Sequence, residues 1–364
     1  EWLQSTTTHV METTGKNYAK LMQIFSLIPN SMQYEPNDQI GIPWDLNKIA
    51  QLLFFISLSA TVVCLICART KAKRWWIGGL GLLLSAVLLT GYFIPVSVPV
   101  MDLSAASAFA DAAYYETIHA GKQQNVAADF RVKKYRLDFS MGLNLTGSAK
   151  VYVDRSELKS YRFTLYHGYK VKQVTDQTGA ALDFRREHDY VTVTRGGADV
   201  EYLCLEYTGK SPKYYSSYAG VCLPANFAYY PIPGYRELFK DNFYGFIDCS
   251  LPYDTAFDVR CSGRKQMYCN LAARGNNHFA GNARSITLLS GYYDTLKLND
   301  TLVVYPKYAD GEIQARIKKN MGTFTKQHRD IHTIFIMGAD NLTPYEHLRS
   351  YDGYVVTNSM IDME

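Results

Sequence analysis

Lys134–Val153, KYRLDFSMGLNLTGSAKVYV, decides the fold. Tyr135, Leu137 and Phe139 alternate with Lys134, Arg136 and Asp138. Beyond Met141-Gly142, Leu143, Leu145, Ala149, Val151 and Val153 alternate with Asn144, Thr146, Ser148, Lys150 and Tyr152. A period of two puts one set of side chains on each face of an extended chain, the mark of a half-buried strand. The texture returns at Tyr161-Phe163-Leu165, Val191-Val193, Leu203-Leu205-Tyr207 and Phe257-Val259-Cys261. Turns such as Thr178-Gly179, Gly196-Gly197 and Gly275-Asn276-Asn277 separate these strands, which predicts an antiparallel β-sandwich over residues 129–309.

Toward the C-terminus the period lengthens. Gly311–Gln327 sets Ile313, Ile317, Met321 and Phe324 at three- and four-residue spacing, as a helix with one apolar side requires. Strands are predicted at His332–Met337 and Gly353–Thr357, so residues 310–364 are expected to open an α/β domain and to end before closing its core.

Toward the N-terminus, Leu103–Ala120 is rich in alanine and reads as a helical stalk within residues 101–128. Two apolar runs precede it, Ile49–Ala68 (IAQLLFFISLSATVVCLICA) and Trp75–Val100 (WWIGGLGLLLSAVLLTGYFIPVSVPV), neither carrying a charge. Roughly 20 helical residues cross a ~30 Å hydrocarbon core, so residues 49–100 are expected to form two transmembrane helices. Between them Arg69, Lys71, Lys73 and Arg74 crowd the loop 69–74, which the positive-inside rule places in the cytoplasm. Trp75 and Trp76 stand where interfacial anchors belong, and Asp45 and Asp102 flank the outer ends with only Lys48 nearby. Both long ends of the chain are therefore expected outside the cytoplasm at a cell membrane. Residues 1–48 form a membrane-proximal segment whose helical pattern (Val10 to Phe25) stops at Pro29. Gly78, Gly79 and Gly81 are expected to permit close helix packing. No ionisable residue except Cys64 and Cys67 lies at mid-depth, which argues against a proton or ion path.

Composition sets outer bounds. With 47% apolar and 20% charged residues among 364, the chain has packed cores rather than wholesale disorder. A net charge of +4, from 38 basic against 34 acidic residues, leaves no footprint for a nucleic-acid partner. Glu1 opens the chain without a leading apolar run, so no signal peptide is expected and the chain reads as the middle of a longer one.

Five cysteines follow the apolar runs: Cys204, Cys222, Cys249, Cys261 and Cys269. None forms a C-x-x-C pair, so a zinc ribbon is not expected. Buried thiols are favoured over one or two disulfides. His328-Arg329-Asp330-Ile331-His332 has the histidine spacing of a zincin helix, but Arg329 occupies the place of the glutamate base and His332 enters a strand. No Ser/His/Asp or Cys/His grouping stands out. Of the tyrosine pairs, Tyr214-Tyr215, Tyr229-Tyr230 and Tyr292-Tyr293, the expected place is the faces and edges of the sandwich rather than a peptide or glycan groove. Sequons at Asn144, Asn299 and Asn341 suit an exterior location.

A longer pattern joins these pieces. Tyr135-Arg136-Leu137-Asp138 is followed by Gly147-Ser148-Ala149-Lys150-Val151. Pro252-Tyr253-Asp254-Thr255-Ala256-Phe257-Asp258-Val259 comes next, and then Ile286-Thr287-Leu288-Leu289-Ser290-Gly291-Tyr292-Tyr293. This order over residues 129–364 resembles the N-terminal β-domain of the aminopeptidase N family of zinc metallopeptidases, with residues 310–364 similar to the start of its catalytic domain. Together with the apolar hairpin, it looks like bacterial ABC-transporter permeases that carry such an exterior domain. The resemblance implies a zinc-bound water attacking a peptide carbonyl, membrane lipid and transporter subunits or an ATPase as partners, and a peptide as ligand. The departures bear on activity. No G-A-M-E-N match stands near Ser350-Tyr351-Asp352-Gly353, and H-E-x-x-H is absent from the chain. No catalytic, cofactor-binding or metal-ligating residue therefore carries over, and zinc enters only if further sequence supplies its ligands. Whether the chain is part of an enzyme stays open against a second class, a non-catalytic peptide- or partner-binding exterior module of an ABC-type transporter.

Overall fold

The computed structural model describes residues 46–91, 110–118, 125–240, 245–263, 265–307, 312–327, 330–337 and 348–357. Residues 1–45, the end of the second apolar run, His328, Arg329 and the Asn341 sequon lie outside the described residues. The chain divides into two compact units, one holding the apolar helices and the other all the strands.

The first unit pairs α1 (Leu46–Cys67) with α2 (Lys71–Gly91). Both are long and apolar enough to cross a membrane. Helix α2 begins earlier than its apolar run: Thr70 Oγ1 accepts the Lys73 amide at 3.3 Å, so three of the four loop cations sit in the first helical turn. Their contact is close at Gly81, where a Cβ would fall 2.1 Å from Thr61 Oγ1, and Ser57 Oγ meets Ser85 Oγ at 3.1 Å. Of the three expected glycines only Gly81 makes so tight an approach. Gly78 stands at ordinary contact distance from Leu65, and Gly79 faces open space.

The second unit is mainly β and holds several sheets. The largest has seven strands in the order Ala272–Gly275, His278–Ala283, Thr255–Ser262, Val132–Met141, Leu145–Val153, Tyr202–Gly209, Tyr169–Thr175. Its inward positions are those the alternation marked: Tyr135, Leu137, Ala149, Val151, Leu203, Leu205 and Val259 are all inaccessible. They share one core with the four-stranded sheet of Phe184–Glu187, Tyr190–Thr194, Ser160–Thr164 and Ile232–Pro233, which contributes Tyr161, Phe163, Val191 and Val193. Smaller sheets of three strands and of two complete this part. The large sheet is not wholly antiparallel as expected. Thr255–Ser262 runs parallel to Val132–Met141, because the long intervening chain crosses over before returning.

The C-terminal sheet departs from the expected domain limits. Its order is Tyr293–Leu298, Thr301–Pro306, Thr333–Ile336, Tyr354–Thr357, Leu348–Tyr351, and the three central strands are parallel. A boundary at 309/310 thus cuts one sheet in two. Between the second and third strands of that order runs α4 (Ile313–Gln327), the third helix along the chain being α3 (Ala110–Ile118). Helix α4 buries Ile313, Ile317, Met321 and Phe324 with Val303, Tyr305, Ile334, Ile336 and Val355. The alternate residues Val304, Phe335 and Val356 turn into the β core, so the sheet serves two cores at once.

Two further expectations change. The segment read as a stalk is docked where it is described: Asp111, Tyr115 and Ile118 of α3 are buried against the strands. Tyrosines do not merely cover faces and edges, since of the twelve largest fully buried side chains all but Phe139 are tyrosines. Their hydroxyls reach carbonyls, as Tyr135 does to Pro231 (2.9 Å), Tyr207 to Tyr229 (2.8 Å) and Tyr229 to Ile286 (2.8 Å). The five cysteines of this unit are free, buried thiols.

Candidate functional site

A buried group of ionisable side chains lies under α3. Asp111, Tyr115 and Ile118 follow one another at spacings of four and three, so one face of this short helix turns inward. Asp111 occupies the first turn, where the helix N-terminus favours a carboxylate. Opposite it, the turn after Ser160–Thr164 carries Tyr166 and His167. Gly168 closes that turn, and a Cβ there would fall 2.6 Å from the Lys210 carbonyl oxygen. A second turn, between Phe184–Glu187 and Tyr190–Thr194, carries His188 at φ 54° and then Asp189.

Arg186 holds the two turns together. Its guanidinium donates to the carbonyls of Leu165 (3.0 Å), Tyr166 (2.8 Å), His188 (3.0 Å) and Tyr169. Burial lowers its pKa, opposed by the Asp189 charge. Asp189 Oδ1 accepts the His167 amide at 2.7 Å and faces His167 Nδ1 at 3.4 Å. On the other edge of the ring, Asp111 Oδ1 lies 3.7 Å from Nε2 and accepts the Tyr166 hydroxyl at 2.5 Å. Tyr114 stacks on the imidazole at 3.6 Å between centroids, and its hydroxyl meets His188 Nδ1 at 3.0 Å.

Burial shapes the charges here. It raises the Asp111 pKa, with Tyr166, His167 and Lys213 pulling the other way. Burial also pushes the Tyr114 hydroxyl up to about 12, helped by Asp189, and holds Tyr115 and Tyr166 well above the usual phenol range. These hydroxyls stay protonated at neutral pH and are poor nucleophiles. The arrangement fastens a helix, and it offers no group suited to attack a carbonyl.

Zinc does not fit these residues. The two carboxylates face opposite edges of one imidazole, so they cannot converge with it on a single ion. No group of three His, Cys, Asp or Glu side chains that could hold a metal occurs among the described residues. His332 is exposed ahead of Thr333–Ile336, and its amide donates to the Gly353 carbonyl at 2.8 Å. Ser350 to Gly353 form an edge hairpin with Gly353 at φ 78°, where Tyr351 stacks on Tyr354 at 4.8 Å. The cluster escaped sequence reasoning because Asp111, His167 and Asp189 follow one another at intervals of 56 and 22 residues along the chain. The one local signal was an aspartate three and four residues before paired tyrosines in an alanine-rich helix.

No family model matches this chain, and no curated protein matches it. Several solved structures resemble it in part. Native leukotriene A4 hydrolase from Saccharomyces cerevisiae does so at TM-score 0.44 and 10% identity, over 73% of this chain and 45% of that one. The yeast enzyme bound to bestatin does so at 0.45 and 9%, over 66% and 43%. An M1 zinc metallopeptidase from Deinococcus radiodurans gives 0.40 and 11%, over 65% and 64%. All are low-identity likenesses, and the chain spans between 43% and 64% of the length of these structures.

Proposed function

We propose that this chain is a membrane-anchored protein whose β-rich unit is a non-catalytic, aminopeptidase-like binding module on the exterior of a permease-type assembly. One observation carries the reading: the paired helices turn their large apolar side chains outward, with Ile66 74%, Trp75 83% and Leu80 69% exposed. Surface of that kind on two adjacent helices of membrane-crossing length is stable in lipid and costly in water. The cations of Arg69 to Arg74 then face the cytoplasm, and the β unit faces out. The non-catalytic part of the reading rests on the Asp111–His167–Asp189 cluster, which fastens α3 and presents neither a nucleophile nor a metal-ligand set.

Membrane partition tests the anchoring. The protein should resist alkaline extraction, and in sealed cells an added protease should cut the β unit while sparing the 69–74 loop. Release into the soluble fraction, or protection of the β unit, would overturn it. Peptide hydrolysis by a zinc-bound water remains the second reading, favoured by the order of motifs across residues 129–364. It predicts that the natural full-length product releases amino acids from peptides in a chelator-sensitive way, and activity that survives chelation defeats it.

A further inference from the structure

A depression of about 360 Å³ lies on the outer face of the seven-stranded sheet, at the lower end of the range for small-molecule sites. Strand register sets one row of side chains across its floor. Arg260 stands opposite Asp138, Asp138 opposite Ser148, and Ser148 opposite Glu206. Lys172, the residue left over where the register of Tyr169–Thr175 shifts beside Glu206, completes the row. Across five strands the charges read positive, negative, hydroxyl, negative, positive.

These charges are not spent on one another. The side chains of Asp138, Glu206 and Lys172 make no ion pair or hydrogen bond among the described residues. Arg260 has one carboxylate within reach, Asp258, at 3.7 Å. That carboxylate already takes His278 at 2.9 Å and faces Arg136 at 3.6 Å, so most of the five donors of the guanidinium are left over. The backbone groups of the inner strands are consumed by the ladder, so a ligand here is read by side chains and not by strand addition.

We propose that this depression binds a small zwitterion, a molecule with one ammonium and one carboxylate a few ångströms apart. The strands of Asp138 and Glu206 are two spacings apart, about 10 Å, and an ammonium above Ser148 sits between their carboxylates. The ligand's carboxylate then meets Arg260 or Lys172 on the flank, in charge-assisted hydrogen bonds. The same row discriminates: a simple anion is repelled by the inner pair and a simple cation by the outer pair. This assignment adds a ligand class to the binding module proposed above, yet its test does not depend on membrane orientation.

The experiment is titration calorimetry on the intact protein in neutral detergent at low ionic strength, with γ-aminobutyrate, butylamine, butyrate and glucose as probes. The expected result is one γ-aminobutyrate bound per chain, with butylamine, butyrate and glucose each at least tenfold weaker. Asp138→Asn, Glu206→Gln and the double variant Arg260→Gln with Lys172→Gln should each weaken γ-aminobutyrate at least tenfold while the melting temperature stays within about 2 °C, as for partly exposed polar substitutions. Added salt should weaken it too. Absence of γ-aminobutyrate binding, equal binding of butylamine or glucose, or full affinity in the well-folded variants would each overturn the assignment. None of these results would touch the membrane-partition result.

Discussion

Replacing Tyr166 by phenylalanine tests whether α3 is latched or merely packed. The substitution keeps the ring, with its contacts to Tyr169 and Phe227, and removes only the hydroxyl that donates to Asp111 Oδ1 at 2.5 Å. Asp111 is 5% exposed, and its Oδ2 has no hydrogen-bond partner, so the variant leaves that carboxyl without a hydroxyl donor. A hydrogen bond to a charged group contributes about 1.5–3 kcal/mol, and stranding the acceptor puts the loss toward the upper half. We expect about 2 kcal/mol at pH 7, roughly a 30-fold rise in the opening equilibrium of the helix. At about pH 3, below the ordinary aspartate range, the carboxyl with its raised pKa is neutral, and the loss should shrink to about 1 kcal/mol. Hydrogen exchange on the intact protein in detergent reads this locally: amides of α3 should lose protection, and those of Tyr135–Phe139 should not. In an Asp111→Asn background the effect of Tyr166→Phe should fall by at least about 1 kcal/mol, the signature of a coupled pair. An equal loss in both backgrounds, or a loss at pH 7 below about 0.5 kcal/mol, refutes the latch.

Three further outcomes follow from the same geometry. Burial raises the Asp111 pKa above its unfolded value, so its contribution to docking is complete below about pH 4 and is lost as pH rises through the raised value. Exchange protection of α3 should therefore decline from acid toward neutral pH and flatten in Asp111→Asn. Gly209→Ala places a Cβ 1.9 Å from the Gly168 carbonyl oxygen and 2.8 Å from Tyr169 Cα, both backbone atoms that no rotamer change can move. Separating the two strands should cost about 3 kcal/mol or more, visible as a lower urea midpoint with unchanged slope. Burial pushes the thiols of Cys249 and Cys269 up to about 12 and that of Cys222 higher still. Maleimide should leave them unmodified in the folded protein and label them in denaturant, and rapid labelling of the native state would contradict their burial.

Much of the architecture was legible because local chemistry and final environment agree. Alternation in Lys134–Val153 marked its inward residues, since a strand with one buried face must alternate, and it failed only at Leu143, which lies in the turn between the two strands and is exposed. The helix of Ile313–Gln327 and the strands at Thr333–Ile336 and Tyr354–Thr357 were equally plain, as were two apolar helices long enough to cross a membrane. Such features are written within one element, in periods of two or 3.6 residues. What only the tertiary structure decided are relations between elements. The parallel return of Thr255–Ser262 depends on a crossover that no local period records. That Tyr293–Pro306 pairs into the C-terminal sheet, and that one sheet serves two cores, rests on pairing between strands whose partner residues stand about thirty positions apart, as Leu302 and Thr333 do. A tyrosine looks alike in sequence whether its hydroxyl meets water or the Pro231 carbonyl, and burial became possible only where such partners converge. Asp111, His167 and Asp189 meet for the same reason, because the fold closes three distant turns of chain on one point, whereas their sequence neighbours impose only local geometry.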